Sequence, residues 1–305
     1  MMQLPRLSRH LQGVWVLVLV TLLWGSTFVV VKGAIAQLHP AWLSCIRFLI
    51  SAVCCLPWLK WQPLSLRIGL ELGFWLVLGY GCQAIGLEFT SASRSAFITS
   101  LNAVILPLML GLMGHVVQRR LWGAVGLAVA GVGLLSHDGS PPNLGDLWTL
   151  GTAVSYAIYI WRLEHYSHCL PSLSLAAAQI WGTTGFALLW ALATPHAIPS
   201  WQSLDWGSLL YLSLLATALT VWLQTWGQRR VSAVEASILF ALEPLWAALF
   251  AFVILGERFG LQGWLGAGLI LSALLLSQAL PARSPQQPRD PAEAVEAESL
   301  NNLKG

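Results

Sequence analysis

The sequence predicts an all-α polytopic membrane protein of ten transmembrane helices, and three observations predict it. Of 305 residues, 56% are hydrophobic and only 10% are charged, whereas soluble domains carry about 25% charged residues. Mean hydropathy is +0.68. Apolar runs recur between short polar or Pro/Gly breaks, each near the roughly 20 residues needed to cross a bilayer. The runs are continuous, not the short alternating segments of a β-barrel. A lipid-embedded backbone of that kind satisfies its own hydrogen bonds only as a helix.

The first expected span, Val14–Val31, follows Arg6 and Arg9 and precedes Ala34-Ile35-Ala36, which resembles a signal cleavage site. The run exceeds the 7–15 residues, roughly, of a secretory signal core, so a retained helix is expected. Ala41–Leu59, Ile68–Phe89, Ser95–Val117 and Leu121–Ser136 come next, the last short for a bilayer. Leu144–Arg162, Ser174–Ala193, Leu204–Gly227, Ala233–Leu255 and Leu261–Leu280 complete the set. Connections are short, so no soluble domain is inserted. Beyond Leu280, Pro281, Pro285, Pro288 and Pro291 lead into Glu293, Glu296 and Glu298. Residues 281–305 therefore read as a disordered cytoplasmic tail.

Orientation follows from Lys and Arg in the loops. With the N-terminus in the cytoplasm, the inner segments hold Arg6, Arg9, Lys60, Arg67, Arg119, Arg120, Arg162, Arg229, Arg230, Arg283, Arg289 and Lys304. The outer side holds Lys32, Arg94 and Arg258. Both termini are expected in the cytoplasm of a cell, or inner, membrane, with an even number of spans. The net charge of +3 is too small to imply a nucleic-acid partner.

The chain resembles itself. Thr90-Ser91-Ala92-Ser93-Arg94-Ser95-Ala96-Phe97-Ile98 aligns without gaps on Val231-Ser232-Ala233-Val234-Glu235-Ala236-Ser237-Ile238-Leu239, and each leads into a Pro-containing helix. Gly123 and Gly126 correspond to Gly263 and Gly266, in nearly the same register. Five helices per half is an odd number, so successive copies would lie in opposite orientations. Inverted repeats are characteristic of secondary transporters, which bind solute near mid-membrane between the copies. Gene duplication alone could also produce them.

Several segments resemble EamA-type members of the drug/metabolite transporter superfamily. They are Trp24-Gly25-Ser26-Thr27-Phe28, Arg47-Phe48, Thr90-Ser91-Ala92-Ser93-Arg94, Gly145-Asp146, Leu242-Glu243-Pro244 and Leu255-Gly256-Glu257-Arg258. Order, spacing and duplication carry the resemblance, which covers about residues 11–280. It implies a fold of two inverted five-helix repeats, 11–136 and 144–280, and the export of a metabolite such as an amino acid or related organic solute. One departure is His115-Val116-Val117-Gln118-Arg119-Arg120, where many members repeat the Gly-Glu motif of the second half.

Charges inside a membrane are costly, about 2.5–3.5 kcal/mol at a helix centre on insertion scales, so they need a reason. Glu243 falls within the ninth span with Pro244 directly after it. Proline removes an amide donor and opens a helix locally. A carboxyl there could bind a cationic solute group, carry a coupled proton, or only tie helices together. Arg47 could meet a solute carboxylate or serve as a strut. Glu71, Glu88, Lys32 and Glu235 lie near span ends and read as snorkelling side chains.

Polar residues fall on single helix faces: Ser95, Thr99 and Asn102; Thr152, Tyr156 and Tyr159; Thr217, Thr220, Gln224 and Gln228; Tyr80 and Gln83; Gln179 and Thr183. Such faces should look inward, since lipid would leave their donors unpaired. They line a cavity or form interhelical hydrogen bonds. Trp24, Phe28, Trp246 and Phe250 could form aromatic walls, while Trp58, Trp61, Trp122, Trp201 and Trp206 sit near span ends, where aromatic belts form. The expected solute-binding set is Trp24, Ser26, Gln83, Thr99, Asn102, Tyr156, Tyr159, Gln224, Glu243 and Trp246, with Pro107 and Pro244 as gating positions. Gly69 and Gly73 form a GxxxG pair for close helix packing, and Gly263, Gly266 and Gly268 crowd one helix.

No GxxxxGK[ST], HExxH or GxSxG motif is present, so neither a nucleotide motor nor a common hydrolytic site is encoded. The five cysteines and seven histidines show no metal-ligand spacing. No cofactor and no metal are expected. The expected partners are a small-molecule solute and the lipid bilayer, for a monomer or homodimer. An importer, a channel, a lipid-handling protein and a membrane enzyme are the alternatives.

Overall fold

A computed structural model describes residues 8–136, 141, 143–195, 199, 204–255 and 260–278. The expected 281–305 tail, the Gly256-Glu257-Arg258 segment and Trp201 lie outside these residues. All regular structure among the described residues is helical. In order these are α1 (Arg9–Ile35), α2 (Pro40–Cys55), α3 (Pro63–Phe89), α4 (Ala92–Ser100), α5 (Asn102–Leu112), α6 (Arg119–Ser136) and α7 (Leu144–Tyr166). There follow α8 (Ser172–Ala193), α9 (Trp206–Leu210), α10 (Thr220–Gln228), α11 (Ala233–Phe240), α12 (Glu243–Leu255) and α13 (Leu261–Gln278).

Among the described residues, seven stretches are long and apolar enough to cross a membrane: Arg9–Ile35, Pro40–Trp58, Pro63–Phe89, Arg94–Leu112, Ser172–Ala193, Trp206–Gln228 and Ala233–Phe250. They are the first four of the ten expected spans and the seventh to ninth. The other three, α6, α7 and α13, fall below that measure of length and hydropathy.

Starts follow local chemistry. Ser8 caps α1 by accepting from the Leu11 amide. Pro40 and Pro63 open α2 and α3, where a missing N–H costs nothing. Reciprocal capping boxes open α7 (Asn143 with Asp146) and α11 (Ser232 with Glu235).

Three expected spans are interrupted. The fourth breaks at Leu101, between α4 and α5, and the ninth at Ala241 and Leu242, between α11 and α12. The eighth widens to a π-helical stretch, Tyr211–Leu219, joining α9 to α10. Hydrophobicity alone does not reveal these breaks, because Leu101, Ala241 and Leu242 are themselves apolar.

The tightest seam runs along α3, which packs against α7 and α8. A Cβ on Gly69 would lie 2.5 Å from the Ala178 carbonyl oxygen, one on Gly73 2.5 Å from the Thr183 nitrogen, and one on Gly182 2.2 Å from the Gly69 oxygen. The backbones touch directly, as the GxxxG pair predicts. Polar ties close both ends of the α3–α7 pair. At one end Glu71 binds Arg162 and accepts from the Tyr166 hydroxyl at 2.6 Å. At the other, Asp146 accepts from Thr90 at 3.2 Å and from Arg94 at 2.8 Å.

Three of the side chains expected to snorkel are therefore engaged. Glu71 is ion-paired. Lys32 reaches the Leu87 carbonyl at 3.0 Å. Glu235 is 1% exposed, caps α11 and lies 3.7 Å from His10 Nε2. Elsewhere α1 packs on α10, α11 and α12, α2 on α8 and the π-helical stretch, and α6 on α13.

Candidate functional site

The polar positions of six helices converge on one cavity inside the bundle. Trp24 and Thr27 of α1, Leu76, Tyr80 and Gln83 of α3, and Asn102 of α5 form one side. Tyr156, Tyr159 and Ile160 of α7, Gln224 of α10, Phe240 of α11 and Glu243 of α12 form the other. The space between them, mouth included, is about 460 Å³.

The helix breaks put two polar groups there. Asn102 is the first residue of α5 and Glu243 the first of α12. Both stand inside the bundle at helix N-termini, where amide groups lack intrahelical partners. Asn102 is 3% exposed and Glu243 9%. Asn102 Nδ2 donates to the Thr99 carbonyl at 2.9 Å, while Oδ1 has no hydrogen-bond partner among the described residues. Glu243 has neither a hydrogen bond nor an ion pair to another described side chain.

Aromatic rings wall the space. Tyr80 meets Tyr156 edge-on with centroids 5.8 Å apart, and Trp24 meets Phe240 at 5.4 Å. Trp24 is held by its indole N–H, which donates to Thr220 at 3.1 Å. Gly25, beside it, lets α1 approach α12: a Cβ there would be 2.9 Å from the Glu243 carbonyl oxygen.

A polar network holds the α7–α8–α10 wall. Tyr159 donates to Gln179 Oε1 at 2.8 Å, and Gln179 Nε2 to Thr225 at 2.9 Å. Gln224 Nε2 donates to Gln228 at 3.0 Å, and Gln228 Nε2 to the Ile160 carbonyl at 3.1 Å. Interhelical bonds of this kind contribute about 0.6 kcal/mol each on average, so the network sets geometry more than stability.

Arg47 does not line the cavity. It is 4% exposed, and its guanidinium stacks over the Tyr80 ring 4.6 Å from the centroid. Nε donates to Thr217 Oγ1 at 2.6 Å and Nη2 to the Ala216 carbonyl at 3.0 Å. A π-helical turn shifts the backbone hydrogen bonding, and α2 supplies the groups that stitch the stretch. Ser51 likewise donates to the Ser213 carbonyl at 2.7 Å. Of the two expectations for Arg47, the contacts are those of a strut.

Seven of the ten expected binding residues line the cavity: Trp24, Gln83, Asn102, Tyr156, Tyr159, Gln224 and Glu243. Ser26, Thr99 and Trp246 do not. Ser26 donates to the Leu23 carbonyl at 2.6 Å and contacts the Tyr211 hydroxyl. Trp246 donates to Thr21 at 3.0 Å. Thr99 lies buried two residues before the α4–α5 break. Phe28 is packed in the core. The prolines also differ from expectation: Pro107 lies inside α5, past the break, and Pro244 opens α12 instead of kinking a continuous helix. Thr27, Leu76, Tyr80, Ile160 and Phe240 complete the lining. Thr27 and Tyr80 lie one turn from Trp24 and Gln83, a spacing visible in the sequence; Leu76, Ile160 and Phe240 are apolar and give no such signal.

Apolar spans interrupted around an internal aromatic and polar cavity define a multi-pass membrane protein. The chain belongs to the EamA-like transporter family, whose model matches residues 11–137 and 143–278. It is 33% identical over 267 residues to an uncharacterized transporter of Archaeoglobus fulgidus, covering 85% of this chain and 83% of that one. It is 26% identical over 282 residues to a probable amino-acid metabolite efflux pump of Salmonella typhimurium, covering 85% and 92%. A solved crystal structure shares the fold at 15% identity, with a TM-score of 0.71, covering 91% of this chain and 99% of that one.

Proposed function

We propose that the chain is a secondary transporter that exports a small organic metabolite across the cell membrane by alternating access. The cavity carries this reading: it is internal, it is walled by helices from both sequence-similar segments, and its polar groups at Asn102 and Glu243 sit at helix breaks. Residues 11–136 and 144–280 are taken as two inverted five-helix repeats, ten spans in all, with both termini in the cytoplasm. Two observations support the duplication: the family match falls in two consecutive stretches, and the aligned segments 90–98 and 231–239 both end just before a broken helix. An amino acid or related solute is favoured by the likeness to the Salmonella efflux pump.

In this reading the seven lining residues contact solute and Arg47 braces the wall. The breaks before Pro107 and Pro244 are where the helices bend. Glu243 is the proton-coupling candidate, because it is the buried carboxyl of the cavity. Metabolite profiling of cells lacking and overproducing the protein tests the function: the solute accumulates inside the first and outside the second. In proteoliposomes, Glu243→Gln removes the pH dependence of flux, and unchanged pH dependence would end the coupling assignment.

A further inference from the structure

Among the described residues, the ionisable lining of the cavity is one-sided, a carboxyl with no basic side chain beside it. Asn102, a lining residue, has its Oδ1 buried and without a partner among the described residues. Glu243 adds two carboxyl oxygens with no side-chain partner there. Some nearby donors are engaged, Asn102 Nδ2 on the Thr99 carbonyl, Gln224 Nε2 on Gln228 and the Trp24 indole N–H on Thr220, while the Gln83 amide and the Tyr80 and Tyr156 hydroxyls are uncharged donors in the lining. Among the described residues, no lysine, arginine or histidine lines the space. Arg47 is turned to Thr217 and Ala216 behind the Tyr80 ring.

The walls reinforce the bias. Trp24, Tyr80, Tyr156 and Phe240 present aromatic surface, whose faces attract cations. An anion entering would meet a carboxyl and ring faces with no charged donor to balance it. An ammonium would satisfy acceptors that are otherwise left unmade, which is costly in a buried site.

We infer that the cavity selects a small organic ammonium, an amine carried on an apolar or aromatic frame, with Glu243 and Asn102 Oδ1 accepting its N–H groups and the aromatic rings enclosing it. A carboxylate on the same solute meets no cationic side chain among the described lining residues. The inference rests on the reading of this cavity as the solute site and narrows its chemistry to the amine.

Calorimetric titration of the purified full-length protein in detergent tests it with three probes of similar size: phenethylamine, phenylalanine and hydrocinnamate. Phenethylamine binds at least as tightly as phenylalanine, and hydrocinnamate at least about thirtyfold more weakly, the smaller loss expected when a buried charge lacks its partner. Glu243→Gln reduces phenethylamine affinity by a similar factor. Three results overturn the inference: hydrocinnamate binding as well as phenethylamine; phenylalanine binding more than about tenfold tighter than phenethylamine, a difference of one affinity decade; or no phenethylamine binding at all. The wild-type ranking decides even where the variant does not fold. Binding is read without flux, so a protein that ranks the probes as stated but moves none of them across liposomes loses the transport reading and keeps the selectivity. Flux of a metabolite anion with no amine binding does the reverse.

Discussion

Gly182 and Gly185 lie three residues apart on α8 and predict opposite responses to the same substitution. An added Cβ at Gly182 would sit 2.2 Å from the Gly69 carbonyl oxygen and 2.7 Å from its carbon, whereas ordinary contact begins at 3.4 Å. The obstacle is backbone on α3, which has no rotamer to change. Relief therefore requires the two helices to part by more than an ångström along a seam that is also closed at Gly69 and Gly73. Overpacking a fitted interior costs about 1–3 kcal/mol, occasionally more, and backbone contact places Gly182→Ala at the upper end. Gly185 has nothing within 4 Å of its Cβ position. There alanine gains helix propensity, up to about 1 kcal/mol. Thermal unfolding in detergent, followed by tryptophan fluorescence, should place Gly182→Ala clearly below wild type and Gly185→Ala at or above it. Equal midpoints for the two variants would refute the claim that direct backbone contact holds α3 to α8.

Tyr159→Phe removes the hydroxyl that Gln179 accepts at 2.8 Å and lowers stability by about 0.6 kcal/mol, read by the same unfolding assay; an unchanged midpoint would show that the bond is not formed. Arg47→Met leaves the Thr217 and Ala216 oxygens without their cationic donor, and bonds to charged groups contribute about 1.5–3 kcal/mol each. The variant should lose stability while retaining probe affinity once folded, and a selective loss of affinity in a fully stable protein would place Arg47 in the binding site instead. Asp146→Asn and an Arg94 variant should show a coupling of about 0.5–3 kcal/mol in a double-mutant cycle, and strict additivity would mean that the 2.8 Å ion pair is not maintained in the membrane.

Much of this architecture is legible in the residues, because lipid imposes few solutions. Apolar runs give the helices, and Gly69 and Gly73 give the tight seam. The helical spacing of Tyr156 and Tyr159, and the isolation of Glu243 in an apolar run, point to the cavity. What stays hidden depends on partners distant in sequence. Ser26 and Trp246 look as available as Gln83 until Tyr211 and Thr21 are found beside them. Leu101 carries no break signal of its own; the chain turns there while the Leu101 amide still bonds Ile98 at 3.1 Å. The π-helical stretch is equally silent, since its displaced hydrogen bonds are met by Arg47 and Ser51 from a helix more than 160 residues earlier.

α3 is tied to α8 by bare backbone at Gly69 and Gly73, and to α7 by Glu71 in its first half and by Gly86 and Thr90 at its far end. Those three helices form a stiff beam. The interrupted elements, α4–α5, α9–α10 and α11–α12, lie outside it. The beam joins a helix from the first family-matched stretch to two from the second, so the most closely packed unit of the bundle crosses the boundary between those stretches.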